Sequence, residues 1–170
     1  MKDGIKLYEQ GIEESPISQI AFGNIMMLGW IAVGTISCWF VHPVIAWVYL
    51  TVAFIMVFIV LRKLVCTNCY YYGKRCPIGW GKLSAMLFSQ GDIEQFSTCA
   101  GTKVAPLTYG LLTLIPLVLC IVALVQEITV ARIIVLILLL AISAYSGSIG
   151  RKKSCAKCKM KLICPGSASK

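Results

Sequence analysis

The chain has 170 residues and a mean hydropathy of +0.82, and only 14% of its residues are charged. Soluble domains carry roughly 25% charged residues, so the composition argues against a soluble core and for a bilayer. The formal charge of +9 sits on residues that flank apolar stretches. That placement fits a membrane-facing asymmetry better than a nucleic-acid footprint.

Residues 1–15 form a polar N-terminal segment, expected to be cytoplasmic. Its acidic residues Asp3, Glu9, Glu13 and Glu14 do not suit a secretory leader, so the first apolar stretch is expected to be a retained span. Four stretches reach the roughly 20 residues that cross a hydrocarbon core. They are 17–41, 44–61, 107–125 and 130–149. His42-Pro43 separates the first pair and Gln126-Glu127 the second. The fold class expected is an all-α integral membrane protein with four transmembrane helices in two helical hairpins. Trp30, Trp39 and Trp47 read as interfacial or packing residues. Asn24 and Ser143 are expected to hydrogen-bond between helices. Cys38 and Cys120 lie inside apolar spans, where free cysteine packs as a small hydrophobe.

Each hairpin is followed by a cysteine knuckle. Residues 62–77 read RKLVCTNCYYYGKRCP, and residues 151–165 read RKKSCAKCKMKLICP. Arg62, Lys63, Cys66 and Cys69 align with Arg151, Lys152, Cys155 and Cys158 at an offset of 89. Cys76-Pro77 aligns with Cys164-Pro165 after one deletion, and Pro16-Ile17-Ser18 with Pro106-Leu107-Thr108. The pattern predicts a tandem duplication: repeat 1 over 16–77, a linker over 78–105, repeat 2 over 106–165 and a tail over 166–170. An even number of spans per repeat gives a pseudo-two-fold axis along the membrane normal, with both knuckles on one surface. Pro77 and Pro165 are expected to stop any continuing helix. The tail shows no prenylation box and is expected to be disordered.

In the linker, Trp80, Leu83, Met86 and Leu87 recur at near-helical spacing until Gly91-Asp92. This reads as a short helix lying in the cytoplasmic interface, or as a loop helix packed on the knuckles. Tyr70, Tyr71 and Tyr72 read as an interfacial belt or as a cover over the cysteines.

Fifteen of the sixteen Lys and Arg residues lie before the first span, between the second and third, or after the fourth. Arg132 is the exception. The positive-inside rule then places both termini and the linker in the cytoplasm. In that reducing compartment, paired cysteine knuckles point to metal binding or redox chemistry rather than structural disulfides. Two C-x2-C elements supply four thiolates, the tetrahedral set that structural zinc prefers. The expected metal ligands are Cys66, Cys69, Cys76, Cys155, Cys158 and Cys164, with Cys99 a candidate for the first cluster. Cys66, Cys69, Cys155 and Cys158 are expected to converge near the pseudo-two-fold axis. The third cysteine of each cluster, followed by proline, keeps an iron–sulfur cluster open beside zinc, and unmetallated, switchable thiols beside both. Lys63, Lys74, Arg75, Lys157, Lys159 and Lys161 are expected to lower the thiol pKa values.

Other chemistries find no residues. His42 is the single histidine, which excludes bis-histidine haem ligation. No Asp, Glu, Lys or Arg lies deep in a span, against the habit of ion pathways. Gly81-Lys82-Leu83-Ser84 is not a phosphate loop. No catalytic serine–histidine or paired-carboxylate constellation is present, so an enzyme is not expected. Two function classes follow. In one, a zinc or iron–sulfur site clamps the helix ends and offers a docking surface to a cytoplasmic protein partner. In the other, a membrane-bound redox or soft-metal-handling protein passes electrons or metal to such a partner. The lipid bilayer is the expected surrounding in both, and no nucleic acid is expected.

Overall fold

The computed structural model describes residues 6–76 and 80–169. Among these the chain is helical, with no strand. Helix α1 spans Ile17–Trp39. Helix α2 spans Pro43–Phe54 and continues without a break through π-helical turns at Ile55–Val60 and Arg62–Cys66. The short α3, Gly81–Leu87, and a 3-10 turn, Ile93–Gln95, lead into α4, Ala100–Gln126. Helix α5, Val130–Ala144, passes through a π-helical turn at Tyr145–Gly150 into α6, Arg151–Ala156. Four helices are long and apolar enough to cross a membrane: Ile17–Trp39, Pro43–Cys66, Ala100–Gln126 and Val130–Ala156.

The helix ends differ from those expected. Hydropathy marks where apolar surroundings stop, whereas a helix stops where its backbone bonds stop. Arg62, Lys63 and Arg151–Lys153 are compatible with helix, so α2 runs on to Cys66 and the last span to Ala156. Helix α4 starts seven residues before the expected 107 and carries Pro106 in its interior. Membrane helices tolerate such prolines when a neighbour satisfies the freed carbonyl. Pro77 lies outside the described residues. Residues 166–169 are folded rather than disordered: Arg151 Nη2 donates to Gly166 O at 2.5 Å, and Ser167 N to Cys164 O at 3.2 Å.

Helix α1 packs against α2, α4 and α5, and α4 packs against α5. Trp30, Ile31, Cys38, Ala46, Tyr49, Ala53, Val57, Leu112 and Leu139 form the core. Small residues dominate the closest approaches: Ser37, Cys38, Ala53, Cys120 and Ala123 are wholly buried. Lipid is as apolar as leucine, so helices gain most by letting backbones come close. Both intramembrane cysteines are thus packing residues, with Cys120 set against Ser37. Outward, Ile25, Leu28, Trp47, Leu114 and Ile137 stay exposed, a surface suited to hydrocarbon. Asn24 does not bond between helices; its Nδ2 donates to Ile20 O of its own helix at 2.8 Å. Ser143 Oγ is buried with no hydrogen-bond partner.

The hairpin tips are fixed by caps. His42 Nδ1 accepts from Val44 N at 3.2 Å, and Pro43 occupies the first helical position, so the histidine acts as a helix cap. At the other tip Arg132 donates to Ala123 O (2.7 Å) and Glu127 O (2.5 Å) and pairs with the Glu127 carboxylate at 2.9 Å. Ala123 O thus takes a second donor beside the Glu127 N–H at 3.1 Å, and the Glu127 carbonyl takes one just past the helix end. The one basic residue at this end therefore neutralises the α4 dipole locally.

Pro116 has no N–H, so the Leu112 carbonyl four residues earlier loses its intrahelical donor. Tyr49 of α2 supplies the replacement: its hydroxyl donates to Leu112 O at 2.9 Å in the buried core. Gly34 of α1 makes room for that ring, since a Cβ there would stand 2.4 Å from the Tyr49 oxygen. Tyr49→Phe is expected to cost about 1–3 kcal/mol by orphaning the carbonyl. Pro116→Ala restores an N–H for Leu112, so the Tyr49→Phe cost should shrink in that background, with a coupling of about 1 kcal/mol or more. Thermal unfolding of the four proteins in detergent measures the cycle, and strict additivity would refute the pairing.

Candidate functional site

The two C-x2-C segments sit where the second helix of each hairpin ends. Both helices widen into π-helical turns just before them, at Ile55–Val60 with Arg62–Cys66 and at Tyr145–Gly150. Such turns are frequent at functional sites because they displace a side chain from the α-helical register. The backbone then makes the same bonds twice. Cys69 N donates to Cys66 O (3.4 Å) and Cys158 N to Cys155 O (3.2 Å). Tyr72 N donates to Cys69 O (3.0 Å) and Lys161 N to Cys158 O (3.1 Å). The Tyr71 N–H donates to the Cys69 sulfur, and the Met160 N–H to the Cys158 sulfur. Tyr71 and Met160 are each only 2% exposed. Cys76 Sγ accepts from Trp80 N at 3.2 Å.

The knuckles meet although 89 residues separate them. Cys69 interacts electrostatically with Cys66, Cys76 and Cys158. Cys158 interacts with Cys155, Cys164 and Cys76. Six sequence-predicted cysteines thus belong to one neighbourhood, and all nine cysteines of the chain lie outside disulfides. Among the described residues, no group of three or more His, Cys, Asp or Glu side chains is arranged to hold a metal ion. The seventh candidate, Cys99, is the N-cap residue of α4, where its carbonyl accepts from Thr102 N (3.2 Å) and Thr102 Oγ1 (2.8 Å). Thiol sulfurs from two chain segments share this neighbourhood, and the Trp80 N–H is aimed at one of them.

The expectation that nearby lysines and arginines acidify the thiols is overturned. Burial raises the pKa of Cys69 far above its ordinary value and that of Cys158 to about 11, against the opposing pull of the Tyr71 and Met160 amides. The basic side chains are engaged elsewhere. Lys74 and Lys159 pair with Glu13, Arg75 pairs with Glu14 at 2.6 Å, and Lys161 lies 4.9 Å from the centre of the Tyr8 ring. Lys63 and Lys157 are exposed. Cys69 and Cys158 therefore keep their protons at pH 7 unless a cation displaces them.

The partners of those basic residues reveal a feature that the sequence hid. Residues 8–15 form a strap across both knuckles. Tyr8 N and Ile12 N donate to Lys159 O (2.9 Å) and Lys157 O (3.0 Å) of the second knuckle. Ser15 N donates to Arg75 O of the first at 2.8 Å. Tyr71 sits between: its hydroxyl donates to Ile12 O (2.7 Å) and accepts from Lys159 N (3.1 Å). Burial pushes that phenol up to about 12, so it stays a donor at all physiological pH. Tyr70 donates to Glu13 at 2.6 Å and Tyr72 to Phe88 O at 2.6 Å. The three tyrosines stitch the strap, the knuckles and the loop after α3 together rather than forming a free belt. Gly11 is required by close approach, because a Cβ there would meet the Lys159 backbone at 2.8 Å.

A further residue was legible only as an interface marker. Arg62 is 5% exposed, lies four residues before Cys66 and interacts with the Cys66 sulfur, as does Ser84 of α3. Its guanidinium carbon is 4.6 Å from the centre of the Trp80 ring. The signal available in the sequence was an arginine one turn ahead of a ligand-type cysteine. These features define a class: an all-helical chain with four helices able to cross a membrane and a cluster of thiols at two of their ends. No protein-family model, curated protein or solved structure matches the chain.

The strap predicts a pH response. Hydrogen bonds from Lys159 and Tyr70, with the charges of Lys159 and Lys74, hold the Glu13 carboxyl down at about 2. A depressed carboxylate contributes stability that is present above its unfolded pKa of about 4.3 and is lost as pH falls through the folded value. Wild type should therefore unfold at a higher temperature than Glu13→Gln at pH 7. The difference should shrink below about pH 4.5 and vanish near pH 2. Thermal unfolding across that range checks it, and a pH-independent difference would contradict it.

Proposed function

We propose that this chain is an integral membrane protein in which two tandem repeats, 16–77 and 106–165, carry a shared thiolate metal site on the cytoplasmic surface. Cys66, Cys69, Cys76, Cys155, Cys158 and Cys164 are its donors, and zinc or an iron–sulfur cluster is its occupant. The observation that supports this reading is the hydrogen bond between the two knuckles, Lys159 N to the Tyr71 hydroxyl at 3.1 Å, which sets Cys69 and Cys158 within electrostatic range of each other. Paired turns and paired N–H···S bonds at corresponding positions support both the duplication and the site. The metal supplies a cross-link: it binds only when both hairpins are in place, so its binding free energy becomes stability of the bundle.

A clamp is favoured over the transfer of electrons or metal. The thiols are partly buried and the strap crosses both knuckles, an arrangement that slows exchange with a partner. A cytoplasmic partner would meet the strap before the sulfurs. Exposed Leu83, Met86 and Leu87 on α3 support a helix lying in the interface, since only Gly81 and Ser84 of that helix are buried. Orientation rests on the basic residues, fifteen of which flank the knuckle end of the spans.

Protein purified anaerobically should contain stoichiometric metal, colourless if zinc and brown if iron–sulfur. Replacing Cys155 and Cys158 together by Ser should remove all metal from the shared site and lower the unfolding temperature. Retention of full metal at the Cys66 cluster would make the sites separate, and metal-free wild type with reversible disulfides would replace the clamp by a thiol switch. For topology, a membrane-impermeant thiol reagent on intact cells should label Glu127→Cys and spare Lys6→Cys; the reverse pattern would invert the orientation.

A further inference from the structure

The cations at the knuckle end fall into two sets. Lys74, Lys159 and Arg75 pair with Glu13 and Glu14 of the strap. Lys63, Lys103, Lys152 and Lys153 are exposed, and among the described residues none of the four makes an ion pair. Glu9, Asp92 and Glu94 are exposed in the strap and the linker, yet they pair with none of these lysines. The unpaired set lies at one level. Lys63 follows the apolar run 44–61 by two residues, and Lys103 precedes the run 107–125 by four. Lys152 and Lys153 follow the run 130–149 by three and four. A rise of 1.5 Å per residue puts them about 3–6 Å beyond the hydrocarbon, within the headgroup layer. Close packing joins the first two, because a Cβ on Gly101 would stand 2.8 Å from the Leu64 backbone. The start of α4 is thus pressed against the end of the second span, with Lys63 and Lys103 flanking the contact.

The surface below these lysines is bare. Only 6% of the fourth span's most apolar stretch is buried, against 22% or 28% for the other three. Leu107 and Ile149, between the lysines and the bundle, are 63% and 51% exposed. A lysine so placed lays its stem on acyl chains and lifts its ammonium to the headgroups. We propose that this face selects anionic phospholipid, Lys63 and Lys103 holding a headgroup at the junction of α2 and α4, and Lys152 and Lys153 another at the end of the fourth span. Charge complementarity decides the lipid. The choline of phosphatidylcholine cancels its phosphate, whereas phosphatidylglycerol keeps a net negative charge that juxtamembrane lysines attract. The strap carboxylates neutralise the cations around the knuckles and leave those at headgroup level for lipid. The inference rests on the four membrane-crossing helices and is independent of what the sulfurs hold.

The test reconstitutes the full chain in phosphatidylcholine vesicles with a trace of spin-labelled phosphatidylglycerol or spin-labelled phosphatidylcholine. Electron paramagnetic resonance reads the motionally restricted fraction of each label. Wild type should hold phosphatidylglycerol at least about three-fold more strongly than phosphatidylcholine at low salt. Raising KCl to about 0.5 M should reduce that preference. Lys63→Gln with Lys103→Gln, and Lys152→Gln with Lys153→Gln, should each lower it, and all four together should bring it close to one. Lys74→Gln with Lys161→Gln removes the same charge from side chains engaged by Glu13 and the Tyr8 ring, and should leave the preference at the wild-type value. A loss in this control pair equal to that in the other two reduces the effect to net charge and overturns the proposal. So does a wild-type preference in the quadruple variant. If that variant does not reconstitute, the two pairs decide, and a wild-type preference in both refutes the surface. Inorganic phosphate at matched ionic strength should not compete; displacement of the lipid label by it would assign the lysines to a soluble anion instead. Wild type without any preference also overturns the proposal, and a dimeric mass in detergent would then assign the bare face of the fourth span to a second copy of the chain.

Discussion

An apolar bundle offers no water to a backbone carbonyl, so every carbonyl released from its helix must find a donor on another element. This constraint organises the chain at three levels. In the middle of the bundle, Pro116 frees Leu112 O and Tyr49 binds it, joining α2 to α4 through the gap that Gly34 leaves in α1. At the hairpin tip, Arg132 donates to Ala123 O of α4 and to the Glu127 carbonyl just beyond it. At the cysteine end, carbonyls of both knuckles accept from the N-terminal strap. Side-chain packing alone is a weak glue between helices in lipid, where burial gains little over contact with acyl chains. Directed bonds of this kind decide which helix lies beside which.

The spans, the hairpins and the cysteine spacing were legible because each is a property of composition along the chain. Apolar runs of membrane length have few other uses, and C-x2-C has few meanings among basic residues. The helix ends were not legible, because hydropathy reports surroundings and not hydrogen bonding; Pro106 inside α4 is the clearest instance. Nor was the strap. Tyr8, Ile12 and Ser15 engage through main-chain N–H groups, which every residue but proline possesses, so the side-chain types of 8–15 carry no trace of the contact. Glu13 and Glu14 did carry one, as acids in a chain with few of them, but their partners lie 57 to 146 residues away.

Missing the strap also reversed the thiol chemistry. Basic residues beside cysteines acidify them when their charge is unspent and the sulfur is wet. Here Lys74, Lys159 and Arg75 are neutralised by two carboxylates, and desolvation is the largest influence on both Cys69 and Cys158. Buried neutral thiols are poor nucleophiles and poor redox switches. They are good latent ligands, since a metal ion repays desolvation with bonds that a proton cannot match. Partly buried sulfurs behind a strap support a clamp rather than a shuttle for this reason.

The two cysteine segments align in sequence, yet their surroundings are unequal. The backbone turns stay paired, down to the N–H···S bonds at Tyr71 and Met160. The inequality falls on the arginines one turn ahead of each first cysteine. In repeat 1 the linker returns as α3, and Trp80 and Ser84 enclose Arg62 against Cys66. In repeat 2 no described helix follows α6, and Arg151 remains at the surface holding the tail. The linker, which has no counterpart after the second knuckle, thus does more than connect the hairpins. By burying one arginine of an aligned pair it sets Arg62 against Cys66, while Arg151 stays at the surface.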